Sequence, residues 1–339
     1  MSNDSLGTIL EGDREGLRRS QEAFLAQPVD LDLTAEPVDP DDDMQTTIAR
    51  PVSVTGPGTY FRKADRTLLF EPGTEEGWWF ERCDLHHDLP IHASVRNVWT
   101  TVRNIVLRSG SPHNYMRMTE HIIAVKLGMG IDNLLVKVTS GDPPLFDRGS
   151  MDIVEALELA GTVKSNKPVS RVTVREQVVI GGANGSFLAF APPAGGKKHL
   201  MIDCAIDFKD AIGKQRIKFV LTRKIFRHGA LARTNTNTAM KLYCMTIGKL
   251  FADIRNTGYT NNNILIAGRN RYMNEPKLLH NGKSLEAAWH RAVMDLLAAV
   301  ALIDRGRFVG QISSYKSGHA MDVEMIRRLY MQKLLVAVD

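Results

Sequence analysis

The feature that most limits how this chain can fold is a restart: alternating strand-like segments followed by helical ones occur twice, on either side of Asn166-Lys167-Pro168. In the first half, Thr47–Thr55, Thr67–Glu71, Ser94–Leu107 and Ile131–Val138 read as strands. Met116–Leu127 reads as a helix broken by Gly128 and Gly130, and Ile153–Leu159 as a second one closed by Gly161. In the second half, Val169–Ile180, Ser186–Phe190, Leu200–Phe208 and Ile217–Leu221 are strand-like. They are followed by a long helix within Asn235–Ile254, an extended stretch Tyr259–Ile266, and helices over Leu285–Ile303 and Met321–Leu335. Strands segregated from helices, twice over, predict two α+β domains (residues 47–165 and 169–339) rather than an alternating βαβ fold. At 339 residues and 43% hydrophobic, the chain can bury one large core or two medium ones. No short-period repeat is present, which excludes solenoids and propellers.

Ahead of the first half, residues 1–46 hold twelve acidic and three basic side chains. That net of −9 leaves +14 on the remainder, against +5 for the whole chain. With Pro28, Pro37, Pro40 and the run Asp41-Asp42-Asp43, the segment is expected to be a solvated, poorly ordered tail with a short helix around Arg14–Leu25, free to bind a partner protein. The basic body favours an anionic partner: a nucleotide diphosphate, an acidic lipid surface at which it would sit peripherally, or nucleic acid. No nucleic-acid-binding motif is recognised, so nucleic acid is not expected. No stretch of about 18 apolar residues and no basic-then-apolar leader is present. Cys83, Cys204 and Cys244 match no paired pattern, and so sparse a set fits a reducing cytoplasm, the expected location.

Three histidine-bearing patches could do chemistry, whereas His86, His87, His92, His113, His199 and His280 read as loop or surface residues. Glu120-His121 opens a helix, where free backbone N–H groups favour an anion. The pair could supply a general base and a metal ligand from one turn, or be an ordinary solvated pair. His290 and Asp295 share the helix Leu285–Ile303 at i, i+5, which on a regular helix sets them about 140° apart. A single π-bulge would bring them together; without one they are a surface histidine and an unrelated aspartate. Ser314-Tyr315-Lys316-Ser317-Gly318-His319 places a lysine suited to phosphate and a histidine suited to proton donation around a glycine that lets a ligand come close.

In order and surroundings these patches resemble the zinc-dependent UDP-3-O-acyl-N-acetylglucosamine deacetylases of lipid A synthesis. Thr119-Glu120-His121 with Gly128-Met129-Gly130-Ile131-Asp132-Asn133 is similar to the family's first motif. Pro143-Pro144-Leu145-Phe146-Asp147 is similar to its Pro-hydrophobic-hydrophobic-Asp turn, and Ile206-Asp207-Phe208 and Ala232-Arg233-Thr234 to segments of its second domain. Tyr315-Lys316-Ser317-Gly318-His319 matches a family signature letter for letter. The resemblance, over about residues 47–335, implies a two-domain sandwich, each domain a sheet layered against two helices, with the active site at their junction. It implies hydrolysis of the N-acetyl amide of a UDP-linked acylated amino sugar, with zinc as cofactor on His121, His290 and Asp295. Glu120 would be the general base, His319 the oxyanion-stabilising or proton-donating imidazolium, and Thr234 a hydroxyl for the tetrahedral intermediate. Lys316 would sit near the diphosphate, Arg291 would stand for a family lysine at the substrate, and Tyr259 and Ile264 would line an acyl passage.

The likeness breaks in the second metal motif. The family has H-x-x-x-D; this chain has His290-Arg291-Ala292-Val293-Met294-Asp295, one residue longer. If Asp295 keeps its place, Arg291 falls where the histidine belongs; if His290 keeps its place, Met294 falls where the aspartate belongs. Ala299 replaces a further aspartate, Arg148 interrupts Asp147-Gly149-Ser150, and Asn235 replaces an aromatic after Thr234. Two functions follow as expectations. One is an enzyme whose helix bulges to rebuild the site; the other is a catalytically silent member that binds a nucleotide-sugar lipid or a partner protein.

Overall fold

The computed structural model describes residues 6–40, 42–86, 89–237 and 258–338. Its architecture is two-domain α+β, built on two main sheets, with one helix on the outer face of the second sheet. The first sheet orders its strands Val52–Pro57, Asp65–Pro72, Leu134–Val138, Trp78–Arg82 and Ile91–His92. Its alternation is clean: Leu68, Phe70, Trp78, Phe80, Leu134 and Val136 are fully buried on one face. Lys137 and Glu71 pair across the other face at 2.9 Å. Helices α2 (Glu120–Met129) and α3 (Met151–Ala160) belong to this half.

Helix α2 starts at Glu120 rather than at the expected Met116, which lies in the strand Tyr115–Met116, and it runs through Gly128 to Met129 before stopping at Gly130. Gly130 takes φ +63, its N–H bonds the Leu127 carbonyl, and Ile131 N–H reaches back to Lys126 O at 3.0 Å. Gly128 answers a different need. A Cβ there would lie 2.1 Å from the ring of Phe226, on the short helix α4 (Arg223–Gly229). A Cβ on Gly229 would in turn meet Trp289 and Val293 at 2.8 Å, so α4 is wedged between α2 and the helical segment that carries His290.

The second sheet has seven strands, in the order Thr8–Glu11, Val178–Gly181, Phe187–Ala191, Gly310–Tyr315, Leu200–Asp207, Lys214–Val220 and Leu31–Leu33. Its inner face, with Ile180, Leu188, Phe190, Ile202, Cys204 and Phe219, joins the main core. The outer face carries a separate cluster of Val179, Phe187, Ala189, Ala205 and Tyr315, covered by Leu6, Leu17 and Phe24.

The N-terminal segment therefore differs from the expected solvated tail. Both edge strands come from it, each parallel to its neighbour, and α1 (Arg14–Ala26) lies across the outer face. Asp13 caps α1, accepting from Gly16 N–H at 2.7 Å. Buried Arg216 anchors its far end. The guanidinium lies 3.9 Å from the Phe24 ring centroid, forks onto Asp203 at 2.8 Å, and donates to the carbonyls of Phe24 and Gln27. Acidic composition misled because it averages over the segment, whereas docking depends on three apolar residues and two unpaired sheet edges.

Other departures are local. Thr162–Pro168 is a strand paired antiparallel with Met44–Ile48, so the expected boundary at residues 166–168 lies inside a ladder. The C-terminal helix stops at Met331, and Leu335–Ala337 pairs with Arg171–Val174. Most of the helix expected over Asn235–Ile254 lies outside the described residues; Thr234–Asn237 is a strand parallel to Ile264–Ala267. Among the described residues no helix is long and apolar enough to cross a membrane.

Candidate active site

The first half of the site is the opening turn of α2. Thr119 does not cap it; its hydroxyl donates instead to the Ile105 carbonyl at 3.0 Å. Ile105 N–H then donates to Glu120 Oε2 at 3.1 Å, which fixes a carboxyl that is only 2% exposed. Burial pushes Glu120 up to about 7, with His319 pulling the other way. The backbone carbonyl of His121 accepts from Ser150 Oγ at 2.8 Å. Burial, reinforced by His290, pushes the His121 imidazole down to about 3, so it is neutral and keeps a lone pair to offer.

The second half is a helix split by a change of winding. Glu286–His290 is α-helical, Arg291–Leu296 is π-helical, and Leu297–Val300 returns to α. The wider turn absorbs the extra residue and brings i and i+5 to one side. His290 Nδ1 lies 3.6 Å from Asp295 Oδ1. The two registers that seemed exclusive in the sequence are therefore both met, because the residues between have other places to go. Met294 turns toward Ser150, whose hydroxyl lies 3.2 Å from the sulfur.

Arg291 departs from its expected place at the substrate. It is buried, donating Nε to the Ser317 carbonyl at 3.0 Å and Nη2 to Ser317 Oγ at 2.7 Å and Asp322 Oδ1 at 2.5 Å. Burial works against the guanidinium charge, but Asp322 and Asp295 outweigh it and raise its pKa. Arg291 thus ties the split helix to the loop that presents His319.

Thr234 joins the halves. Its neighbour Arg233 is locked by buried Glu286, which accepts from Arg233 Nε at 2.6 Å and from its backbone N–H at 3.1 Å. Held there, Thr234 Oγ1 lies 3.2 Å from His121 Nε2 and 3.1 Å from His290 Nε2. The two rings stand 5.2 Å apart, centroid to centroid. His319 opens the last helix (His319–Met331), and its Nε2 lies 3.6 Å from Asp295 Oδ1. Burial alone would raise Asp295, yet His319, His290 and Arg291 hold it below the ordinary carboxylate range. For His319 burial opposes the charge, and Asp295 and Glu120 restore it, raising its pKa. The site thus pairs neutral imidazoles with an ionised carboxylate and with a third imidazole whose protonated form is favoured.

The remaining expected residues divide. Ile264 sits directly beside Thr234 in the parallel pair, and the Tyr259 hydroxyl points to Met118 Sδ at 3.7 Å. Neither lines the small apolar pocket formed by Met118, Ile122, Pro144, Leu145, Phe146 and Ile153 with His121 and Thr234 in its wall; each touches it only through Met118 or Thr234. Lys316 does not line this pocket: it takes φ +53, sets its ammonium on the Asn184 carbonyl at 3.1 Å, and lines a separate cleft with Leu17, Ser20 and Gly182. Arg148, the inserted residue, points to the surface and pairs with Glu155 and Asp152, so the insertion does not enter the site. Glu286, Asp322 and Ser317 were missed. The available signal was an arginine inside an otherwise apolar helix, which demands a buried anionic partner.

Among the described residues no three His, Cys, Asp or Glu side chains stand close enough to form a ready metal cage. The donors nevertheless fit a metal in kind. Two neutral imidazoles converge on one hydroxyl, and beside them Asp295 Oδ1 is buried without a hydrogen-bond partner. Two histidines and an aspartate with a fourth position open is a donor set of the catalytic zinc type.

Comparison with known proteins supports the same parentage. The LpxC family profile, UDP-3-O-acyl N-acetylglycosamine deacetylase, matches residues 45–331. Proteins named UDP-3-O-acyl-N-acetylglucosamine deacetylase from Brucella ovis, Brucella canis and Brucella suis are each 26% identical over 287 residues, covering 84% of this chain and 94% of theirs. The match takes in α2, Thr234, the π segment and the His319 loop, and leaves out most of the added N-terminal segment. This chain belongs to the UDP-3-O-acyl N-acetylglycosamine deacetylase family.

Proposed function

We propose that this protein is a zinc-dependent deacetylase that hydrolyses the N-acetyl amide of a UDP-3-O-acyl-N-acetylglucosamine-like substrate in lipid A biosynthesis. The observation that carries the reading is the convergence of His121 and His290 on Thr234 Oγ1, with Asp295 brought to the same side by the π turn. A zinc ion held by His121, His290 and Asp295 would polarise the amide carbonyl and lower the pKa of the attacking water.

The chain's own groups supply the proton chemistry. Glu120, fixed by Ile105 N–H, takes the proton from water as its oxygen bonds to the acetyl carbon. Thr234 donates its hydroxyl toward the oxygen that gains negative charge. His319, whose protonated form is favoured by the nearby carboxylates against burial, gives a proton to the sugar nitrogen as the C–N bond breaks, releasing acetate and the free amine. The apolar pocket beside Thr234, about 20 Å³ in volume, would have to widen to take the acyl chain, with Tyr259 and Ile264 flanking Met118 and Thr234 of its lining, and Lys316 in the loop before His319 would meet the diphosphate. Arg291 acts by positioning His319 rather than by touching substrate.

The competing reading, a member that binds without turnover, draws on the absence of a ready three-ligand cage among the described residues and on Ala299, which lies buried in apolar packing. Release of free amine from the substrate separates the two. Activity should be removed by a chelator and restored by zinc, and Glu120→Gln should lower kcat by roughly 10²–10⁴ with zinc retained. Tight substrate binding with no amine released from zinc-loaded protein would establish the silent alternative.

A further inference from the structure

A small sheet on the first half carries a surface whose chemistry the catalytic reading does not use. Val98–Thr100, Val106–Arg108 and Tyr115–Met116 form three antiparallel strands with Val106–Arg108 in the middle. Period-two alternation sends Val98, Leu107 and Met116 into the core and leaves Trp99, Arg108 and Tyr115 on the outer face. Arg108 covers one face of Trp99 at 4.9 Å, and the Trp99 and Tyr115 rings are 6.3 Å apart.

Two loop tips extend this face. Asn104 Nδ2 donates to Tyr60 OH at 2.8 Å, which joins the loop after Thr100 to the loop bearing Phe61. Arg117 stacks over Tyr60 at 4.9 Å and over Tyr115 at 5.2 Å, closing the connection. At these tips Val102 is 73% exposed and Phe61 44%, and on the sheet Trp99 is 54% exposed. Exposed Arg62, Lys63 and Arg103 alternate with them and form no ion pair among the described residues. From Leu89 to Thr119 the chain contains no Asp or Glu.

We propose that this face docks the protein on an anionic lipid surface. Large apolar tips would enter the headgroup boundary, Trp99 and Tyr115 would sit at the level such rings prefer, and the flanking cations would meet anionic headgroups. The face borders the apolar pocket, since Thr59 and Met118 line it and Asn104 Oδ1 accepts from Met118 N–H at 3.2 Å. Docking would thus set the pocket beside the lipid surface. The inference rests on surface chemistry and does not depend on the proposed catalysis.

The test is sedimentation of the full chain with vesicles of phosphatidylcholine alone or with added phosphatidylglycerol, at low and high salt. Binding to the anionic vesicles only, weakened by salt, is expected. Lys63→Glu/Arg103→Glu should lower the partition coefficient about 25-fold or more, at roughly fivefold per cation lost, and Trp99→Ser/Val102→Ser should lower it at least about tenfold through the apolar contribution. Deacetylation of a water-soluble short-chain substrate serves as an independent readout, so loss of docking with turnover intact separates the two proposals. Should one double variant fail to fold, the other and the salt dependence of the wild type decide. Wild-type protein that stays in solution with anionic vesicles, or variants that bind them as well as wild type, would overturn the proposal.

Discussion

On α2, Glu120 and His121 lie in the opening turn of a regular helix whose exit is set by Gly130. On the partner helix, His290 and Asp295 meet only because Arg291–Leu296 winds as a π segment. One half-site follows from ordinary helical spacing; the other carries an extra residue and would fail on an ordinary helix. The difference shows that a motif can be out of register in sequence and in register in space, provided that the displaced side chains find partners. Here Met294 goes to Ser150 and Arg291 to Ser317 and Asp322. Arg291 thereby ties the π segment to the loop that presents His319.

Breaking that tie should have the largest effect on stability. Arg291→Met leaves Asp322 buried and unpaired, and should destabilise the fold by about 3–5 kcal/mol, measured by denaturant unfolding. Arg291→Lys keeps charge but not the fork, and should be intermediate. A change below about 1 kcal/mol in Arg291→Met would show that the π turn holds itself.

The regular half should respond to packing instead. Gly128→Ala puts a methyl into the Phe226 ring and should cost about 1–3 kcal/mol, read as a lower midpoint of unfolding at unchanged slope. Gly229→Ala, against Trp289 and Val293, tests the other side of the same wedge.

The smallest effect should come from the most drastic edit. Deleting Ala292 shortens the motif to H-x-x-x-D spacing, which a regular helix satisfies. Zinc content should persist and stability should change by only about 1–2 kcal/mol. Loss of zinc on deletion would mean that the site depends on the π geometry itself.

These contrasts also mark what the sequence could reveal. The i, i+5 spacing of His290 and Asp295 carried the demand for a bulge, since one site can use both residues only that way. Alternation exposed Leu200–Asp207 and Asp65–Pro72 as strands because each has one face in the core. Gly310–Tyr315 escaped because a strand between two others, reading Gly-Gln-Ile-Ser-Ser-Tyr, shows no apolar period. The place of Arg291 was hidden because its partners, Ser317 and Asp322, lie 26 and 31 residues away. The N-terminal segment was misjudged for a similar reason. Its strands have no sheet of their own, and the edges they cover are formed by Val178–Gly181 and Lys214–Val220 far along the chain.

The most direct test of the rebuilt site is elemental analysis of purified wild type beside His121→Ala, His290→Ala and Asp295→Ala. About one zinc per wild-type chain, lost in all three variants, is expected if both half-sites converge on one metal. Wild-type protein that takes up no zinc after supplementation, or that keeps it in His290→Ala and Asp295→Ala, would contradict the site described here.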